Sequence, residues 1–256
     1  MSNNVTFHDL KNASVFITGG GSGIGAAITE GFLAQGAKVA FVQRSECEEF
    51  IETMSSKYNH KPLFIKCDIT DTKALQKAIF KANEAHGGIN ALVNNAANDS
   101  RHSLDEMTTE EWDQSININL RPHFFTAQAV APIMRSQGGG SIINFSSASY
   151  LMGNAGYPAY VASKAGITGL TRSLARELGS DNIRVNSLIP GWVLTKKQLK
   201  LWANDKDLAS HLKKQCIKEH LIPNDLIDST LFLASNASRM MTGQALVVDG
   251  GVVVTG

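Results

Sequence analysis

A tyrosine and a lysine four residues apart, Tyr160 and Lys164, are the side chains of this sequence best placed to move a proton. Residues at positions i and i+4 of a helix share one face, so the phenol and the ammonium would be neighbours. An unperturbed tyrosine has a pKa of about 10 and is a poor base at neutral pH unless a positive charge stabilises the phenolate. The pair indicates acid–base chemistry, although the same spacing is also typical of an ordinary amphipathic helix.

A glycine-rich turn near the start of the chain indicates a site for a phosphate-bearing ligand. An apolar segment, 14–18, runs into this turn, and a helical pattern follows as far as residue 33. Glycines let backbone N–H groups approach a ligand closely, and a helix N-terminus favours negative charge. The spacing T-G-x-x-x-G-x-G, between a strand and a helix, therefore predicts a bound dinucleotide. The turn residues predicted to bind it are Gly19, Gly21, Ser22, Gly23, Ile24 and Gly25.

Short apolar segments alternate with helical patterns along the whole chain. The predicted strands are 14–18, 38–43, 61–67, 91–94, 140–146, 183–189 and 245–249. Repeated strand–helix units predict an α/β fold with a parallel, doubly wound sheet, in which ligands bind beyond the carboxyl ends of the strands. Because we find no linker, repeat or low-complexity tract, we predict a single Rossmann-type domain over 1–256.

Composition argues against several other classes of function. Twenty-four Lys and Arg residues against 23 Asp and Glu leave a net charge of +1, without the basic excess typical of nucleic-acid binding. No segment approaches the roughly 18 apolar residues of a membrane span, and the polar first residues lack an export signal. The three cysteines are widely spaced, and none of the seven histidines has metal-ligand spacing. We therefore expect a cytoplasmic protein with no metal, membrane or nucleic-acid partner.

Further motifs stand in a fixed order along the chain. They are Cys67-Asp68-Ile69, Asn94-Asn95-Ala96-Ala97, Asn119, Ser147 thirteen residues before Tyr160, Pro190-Gly191 with Thr195, and the closing segments 242–245 and 247–251. Together with the glycine turn, they resemble the short-chain dehydrogenase/reductase family over nearly the whole chain. One departure is Ala97, where that family usually has glycine, and the added methyl group is acceptable if the local φ is negative.

The resemblance implies a nicotinamide cofactor and four catalytic residues, Asn119, Ser147, Tyr160 and Lys164. In alcohol oxidation Tyr160 would take the hydroxyl proton, Ser147 would hydrogen-bond the same oxygen, and the hydride would leave for the nicotinamide. Lys164 would lower the pKa of Tyr160 and bind the ribose, and Asn119 would hold a water that leads the proton to solvent. Beyond the glycine turn, the implied cofactor residues are Gln43, Arg44, Asp68, Ile69, Asn95, Ala96, Tyr160, Lys164, Pro190, Gly191, Val193 and Thr195.

The dipeptide Gln43-Arg44, at the end of the second predicted strand, bears on which nicotinamide cofactor is used. A carboxylate at this point would bind the adenosine 2′-hydroxyl and repel a 2′-phosphate, but the family's acidic position holds Gln43. Arg44 can pair with a phosphate, so we predict that NADP is preferred, with NAD as the alternative. Arg44 could instead stack on adenine, and Glu46 and Glu48 lie close in sequence. Asp68 resembles the family's contact to the adenine amino group.

Polar side chains follow the fourth predicted strand, over residues 98–102. Their donors and acceptors suit a polyhydroxylated ligand better than an acyl chain or a steroid. This segment, with 117–121 and 190–198, is similar to the aldose 1-dehydrogenase branch of the family, which oxidises the anomeric CH–OH of a sugar to a lactone. The resemblance implies a pentose or deoxyhexose substrate. The predicted substrate contacts are Asn98, Asp99, Ser147, Asn154, Tyr160, Trp192 and Gln198, and residues 195–221 are the predicted substrate lid.

Two other functions stay open at this point. The same catalytic residues would serve a ketone or 3-oxoacyl reductase that uses NADPH, and segment 98–102 would then be an ordinary solvated loop. A cofactor-binding sensor without turnover is the remaining alternative, although a pure binder has no need of proton-transfer groups. Family resemblance also implies a homotetramer, which the amphipathic pattern cannot test, since a helix face can pack against either a core or another subunit.

Overall fold

Seven strands form one parallel sheet in the computed structural model, which describes residues 5–254. The strands are β1 Ser14–Thr18, β2 Lys38–Gln43, β3 Leu63–Lys66, β4 Ala91–Asn94, β5 Gly140–Phe145, β6 Ile183–Pro190 and β7 Ala245–Val248. Their order is β3-β2-β1-β4-β5-β6-β7, so the direction of winding reverses between β1 and β4. The predicted doubly wound sheet is confirmed. The ends of the predicted domain, 1–4 and 255–256, lie outside the described residues.

Helices connect the strands and flank the sheet. Within residues 5–254 the α-helices are α1 Gly23–Ala34, α2 Glu48–Lys57, α3 Thr72–His86, α4 Thr109–Asn119, α5 Arg121–Ser136, α6 Ala148–Leu151, α7 Pro158–Leu178, α8 Lys196–Leu201, α9 Asp205–Lys214 and α10 Ile227–Ala234. Short 3-10 turns occur at His8–Leu10, Gly179–Asp181, Pro223–Leu226 and Asn236–Ser238. Among these described helices, none has the length and apolar character needed to cross a lipid bilayer.

The third strand is shorter than the predicted segment 61–67. Its pairing with β2 begins where Leu63 lies opposite Ala40 and ends at Lys66 opposite Gln43. Pro62 has no N–H to donate to a strand ladder, so it limits the pairing on that side. The other strands begin where the sequence places them and end within one residue of the predicted position.

Side-chain caps fix the starts of the helices that lead to the site. Thr108 and Glu111 form a capping box at the start of α4, in which each side chain accepts a hydrogen bond from the other residue's N–H. Asp71 accepts from Ala74 N at the start of α3 (3.0 Å), and Thr195 accepts from Gln198 N at the start of α8 (3.2 Å). These bonds satisfy N–H groups that a helix leaves without partners in its first turn.

The apolar core lies in two layers, one on each face of the sheet. Successive strand side chains point to opposite faces, so Val15 and Ile17 of β1 join the layer that contains Phe32 of α1. Phe16 joins the other layer, which contains Met134 of α5. Because both faces of β1 are fully buried, its three central residues, Val15, Phe16 and Ile17, are all apolar rather than alternating.

The loops that follow β1 and β4 meet at the reversal of strand order. The hydroxyl of Thr18, at the end of β1, accepts hydrogen bonds from Asn95 N (3.0 Å) and Ala96 N (3.1 Å) beyond β4. In return, the Asn95 amide donates to the carbonyl oxygens of Thr18 (3.1 Å) and Gly19 (3.2 Å). The fold therefore fixes the glycine turn against the loop after β4, at the edge where open α/β sheets bind ligands.

Candidate active site

The glycine turn between β1 and α1 is closed so tightly that a side chain at Gly19 or Gly25 would be strained or would overlap the backbone. Gly19 has a φ of +71°, which favours glycine, and a Cβ at Gly25 would overlap the carbonyl oxygen of Gly19. Gly21 N donates to Oε1 of Gln43 at 3.0 Å, so the second strand supports the turn. The N-terminus of the 12-residue helix α1 begins within this turn, and its N–H groups favour an anionic ligand.

Beyond the second strand, cationic and acidic side chains lie at the far end of the cleft. The Arg44 side chain is 81% exposed, and its Nη1 lies 4.0 Å from Oδ2 of Asp68. The Asp68 carboxylate accepts from the backbone and hydroxyl of Thr70, and those bonds outweigh burial and hold its pKa below the usual range. Glu46, a neighbouring acid, is bonded to Lys66 at 2.6 Å. Arg44 therefore keeps an exposed guanidinium.

Tyr160 and Lys164 lie on α7, one turn apart, as the spacing predicts. The Lys164 side chain is buried, with Nζ 5.4 Å from the centroid of the Tyr160 ring and 2.8 Å from the carbonyl oxygen of Phe145, to which it donates. Ser147, beyond β5, begins α6 and accepts from Ser149 N at 3.2 Å. The ends of β5 and the first turns of α7 thus bring the phenol, the amine and the hydroxyl together.

The pKa values of the two α7 groups differ from the simple expectation that Lys164 lowers that of Tyr160. Burial raises the pKa of Tyr160 above its usual range, the Asp99 carboxylate raises it further, and hydrogen bonding by the Ser147 hydroxyl opposes both. Burial lowers the pKa of Lys164 to about 7, and Asp99 partly offsets that decrease. The sequence pattern predicts that Tyr160 and Lys164 are neighbours, but it does not reveal their burial or the influence of Asp99 on them.

Asn119, the last residue of α4, holds the backbone of the loop after β4. Its Oδ1 accepts from Asn98 N (2.8 Å), and its Nδ2 donates to Asn98 O (2.9 Å) and to the Ser115 hydroxyl (3.3 Å). The side chain is almost fully buried and borders a side pocket of about 210 Å³ rather than the main cleft. Asn119 therefore has a clear structural role, and its predicted catalytic role stays a prediction.

A hydrogen-bonded cluster, here called the Asp99 network, links the loop after β4 to the segment 195–221. The Asp99 carboxylate accepts from Lys197 Nζ (2.9 Å) and from Gln198 Nε2 (2.6 Å). Gln198 Oε1 in turn accepts from the Trp192 indole N–H at 3.0 Å. Burial alone would raise the pKa of Asp99, but the bonds from Lys197 and Gln198 hold it below its usual range. The network comprises Asp99, Trp192, Lys197 and Gln198.

Aromatic and cationic side chains also lie near Tyr160. The Tyr157 ring stacks on the Tyr160 ring with 5.3 Å between centroids, and the Arg101 guanidinium lies 3.7 Å from the centroid of the Tyr157 ring. Asn154 Nδ2 donates to the Tyr157 hydroxyl at 3.2 Å. His102, by contrast, accepts from Ala159 N at the start of α7 through Nε2 (3.3 Å), which gives it a structural role.

One cleft of about 1880 Å³ collects nearly all the predicted site residues. Those on its wall are Gly19, Gly21, Ser22, Ile24, Gly25, Gln43, Arg44, Asp68, Ile69, Asn95, Ala96, Asn98, Asp99, Ser147, Asn154, Tyr160, Lys164, Pro190, Gly191, Trp192, Val193, Thr195 and Gln198. Two are not on that wall, Asn119 and Gly23, and a Cβ at Gly23 would contact the Thr195 side chain. The φ of Ala97 is not positive, so its methyl group is tolerated.

Comparisons with known proteins agree with this geometry. Residues 19–253 match a family profile described as "Enoyl-(Acyl carrier protein) reductase". The chain is 47% identical over 248 residues to "Probable galactose dehydrogenase GalD" of Rhizobium meliloti, which covers 96% of this chain and 97% of that protein. It is 43% identical over 246 residues to a D-xylose 1-dehydrogenase of Caulobacter vibrioides, with 96% and 97% covered. This chain belongs to the short-chain dehydrogenase/reductase family.

A solved structure supports the same family at the level of the fold. It is a 3-oxoacyl-[acyl-carrier protein] reductase from Brucella melitensis, with a TM-score of 0.89, 29% identity, and 100% of this chain and 98% of that chain covered. As a short-chain dehydrogenase/reductase, the protein is an oxidoreductase that uses a nicotinamide cofactor, as predicted. The residues present fit such a group, because the cleft runs from Arg44 across the glycine turn to Tyr160 and leaves the turn's backbone open to a pyrophosphate.

Several residues of this short-chain dehydrogenase/reductase site escaped the sequence analysis. Lys197 and Arg101 lie in segments that the sequence singled out, but neither was predicted to contact the site. Trp202 and His211 also line the cleft, and each carries a buried ring nitrogen without a partner among the described residues. Tyr157 lies just before α7, three residues from Tyr160, and its ring stacks on that of Tyr160. The others depend on contacts between different segments of the chain, such as Lys197 with Asp99 and Arg101 with Trp202.

Proposed function

We propose that this protein is an aldose 1-dehydrogenase that transfers a hydride from the anomeric CH–OH of a sugar to NADP. The observation that carries the proposal is the Asp99 network in the same cleft as Tyr160, because a wall of carboxylate, amide and indole groups suits hydroxyl groups better than an apolar chain. The similarity to the two sugar dehydrogenases supports the same substrate class. A pentose, deoxyhexose or hexose would therefore enter as the closed-ring hemiacetal.

The reaction follows from what the chain's own groups can do. Tyr160 takes the proton of the anomeric hydroxyl as general base, and the neighbouring Lys164 ammonium would favour the phenolate against the effects of burial and Asp99. The Ser147 hydroxyl would hydrogen-bond the same oxygen as it becomes a lactone carbonyl. The nicotinamide supplies the hydride acceptor when it is bound. The substrate loses one proton and one hydride, and the product is the lactone. Lys164 would bind the cofactor's ribose, and Asn119 would hold a water on the route of the proton to solvent.

The proposed sugar contacts are the polar groups of the cleft wall nearest Tyr160. Asn98, Asp99 and Gln198 would bind hydroxyl groups, because an ionised carboxylate that accepts two bonds still has lone pairs to accept more. Asn154 reaches the same region through its bond to Tyr157. Trp192 would cover one face of the sugar ring with its indole. These contacts would determine which sugar binds and would take no part in the transfer of the proton or the hydride.

We also propose that residues 195–221 act as a lid on the substrate. The two ends of the segment are held at the body, because Val193 bridges to Leu221, Leu194 N donates to Leu221 O at 2.8 Å, and Ile217 N donates to Gly250 O at 2.9 Å. It carries α8 and α9, and no residue of either helix is fully buried. A segment joined at its base and lightly packed above it can move without disturbing the sheet. The homotetramer and the cytoplasmic location stay predictions.

The experiment that tests the function measures formation of reduced nicotinamide from a panel of pentoses, deoxyhexoses and hexoses, each with NAD and with NADP. We expect turnover with one or a few aldoses, because hydroxyl groups are read individually by a polar site. The blank is the Tyr160→Phe protein. If no aldose is oxidised while NADPH is consumed with ketones or 3-oxoacyl thioesters, the sugar assignment is wrong and the reductase alternative replaces it.

Removal of the Arg44 guanidinium tests the proposed preference for NADP. We expect Arg44→Gln to raise the KM for NADP about tenfold and to leave the KM for NAD nearly unchanged, since one charge-assisted hydrogen bond to the 2′-phosphate is lost. Lys81→Gln, which removes the same charge from an exposed position on α3, is the matched control. An equal rise for both cofactors would mean that Arg44 stacks on adenine and does not read the phosphate.

A further inference from the structure

Lys197 joins two parts of the cleft that are far apart in sequence. It lies in the first turn of α8, at the base of the proposed lid, and its Nζ bonds Asp99 Oδ1 at 2.9 Å and Asn98 Oδ1 at 3.3 Å. The Asp99 side chain is only 16% exposed, so this ion pair is less screened by water than a surface pair. The backbone of Asn98 is in turn held by Asn119. Lid, loop and α4 are therefore mechanically connected.

The same carboxylate and the phenol of Tyr160 line one cleft. The charged and titratable groups near Tyr160 are Lys164 one turn along α7, with Nζ 5.4 Å from the ring centroid, Tyr157 just before α7, and Asp99 and Arg101 from the loop after β4. Ser147 acts on it by hydrogen bonding from the end of β5. Asp99 is the anionic member of this set, and one of its oxygens is bonded to the Lys197 ammonium. If the Asp99–Lys197 ion pair is broken, the negative charge of Asp99 near Tyr160 is no longer partly compensated.

We propose that Lys197 is a positioning residue that holds the lid on the loop after β4 and compensates the charge that Asp99 presents to Tyr160. This inference rests on the proposed function for its substrate, but not for its geometry. When Lys197 is bonded, Asp99 binds hydroxyl groups while its effect on the phenol is reduced. When the lid lifts and the bond is lost, an uncompensated carboxylate remains beside the phenol and disfavours the phenolate. Lid closure and readiness for proton transfer are thereby coupled.

Replacing Lys197 and replacing Asp99 should shift the pH profile in opposite directions, and this allows a direct test. In oxidation, activity rises with pH as Tyr160 loses its proton. Lys197→Met should move this limb of the kcat/KM profile to higher pH by about half a unit to one unit, because Asp99 loses its counter-charge. Asp99→Asn should move the limb to lower pH, because the anion itself is gone. The double variant should behave as Asp99→Asn alone, since Lys197 then has no charge to compensate.

Two controls separate the charge from the shape of the side chain. Lys197→Arg keeps the cation and should restore the wild-type limb. Lys196→Met changes the exposed neighbour at the start of α8 and should leave the profile unchanged. A uniform loss of activity at every pH with no displaced limb, or a double variant in which the two shifts simply add, would overturn the coupling.

A second readout, hydrogen exchange followed by mass spectrometry, needs no substrate. Lys197→Met should speed amide exchange in 196–201 and 97–101 severalfold, and Lys197→Arg should not. Unchanged exchange would overturn the mechanical part of the proposal. If the panel shows ketone reduction in place of aldose oxidation, the sugar assignment fails, but the Lys197 proposal can still be tested. The pH profile of kcat/KM is then measured for reduction, in which Tyr160 gives the proton. The pH-dependent limb should move in the same direction for each variant as it does in oxidation.

Discussion

Replacement of the proposed catalytic tyrosine, Tyr160→Phe, is expected to lower kcat by roughly 10³-fold while cofactor binding is retained. The phenol lies near the Ser147 hydroxyl, with Lys164 Nζ 5.4 Å from its ring centroid, and in the proposed mechanism it takes the substrate's proton. Phenylalanine keeps the ring and its stacking on Tyr157, so the change removes little more than the hydroxyl. Steady-state kinetics with the best sugar of the panel, together with fluorescence titration of NADPH, measures both effects.

Tyr157→Phe is the matched control for this experiment. It removes a phenol from the neighbouring, stacked ring, whose hydroxyl accepts a hydrogen bond from Asn154. We expect at most a severalfold change in KM from this variant, because one neutral hydrogen bond contributes about 1 kcal/mol. If Tyr160→Phe kept more than a tenth of the wild-type kcat, or if both variants lost activity equally, the proton would have to pass through another group.

The sequence was sufficient to predict the sheet and the glycine turn, because both depend on local rules. Buried parallel strands appear as apolar segments, and the turn appears as glycines at positions where a Cβ would meet the backbone, as at Gly25. The spacing of Tyr160 and Lys164 predicts their place on one face of α7 for the same reason. Family membership extends this to the chemistry, since the chain matches named dehydrogenases over nearly its full length.

The rest of the site depends on contacts that no local pattern contains. Asp99 and Lys197 are 98 residues apart and meet only because the loop after β4 and the segment after β6 end at the same edge of the sheet. The raised pKa of Tyr160 arises from burial and from Asp99, neither of which can be read from a helix period. Asn119 shows the same limit, because its bonds to the backbone of Asn98 require the folded loop.

The glycine turn gives the second prediction with a large expected effect. Gly25→Ala should destabilise the protein by about 3 kcal/mol and abolish detectable binding of NAD and NADP. A methyl group at this position would overlap the Gly19 carbonyl oxygen and press on the Asn95 side-chain amide. These two groups are hydrogen-bonded to each other, so neither can move away freely. The turn would have to open, and its N–H groups would move away from a pyrophosphate. Thermal unfolding with and without NADPH measures stability and binding together.

The control for this prediction uses a glycine with room for a side chain. Gly179, at the end of α7, has a φ of −62° and no neighbour within 4 Å of a built Cβ, so Gly179→Ala should change stability by well under 1 kcal/mol. NADPH should then raise the melting temperature of this variant as it does in the wild type, because ligand that binds only the folded state stabilises it by mass action. If Gly25→Ala also kept that increase, the turn would be free to relax around a side chain, and glycine at this position would serve folding rather than the approach of the cofactor.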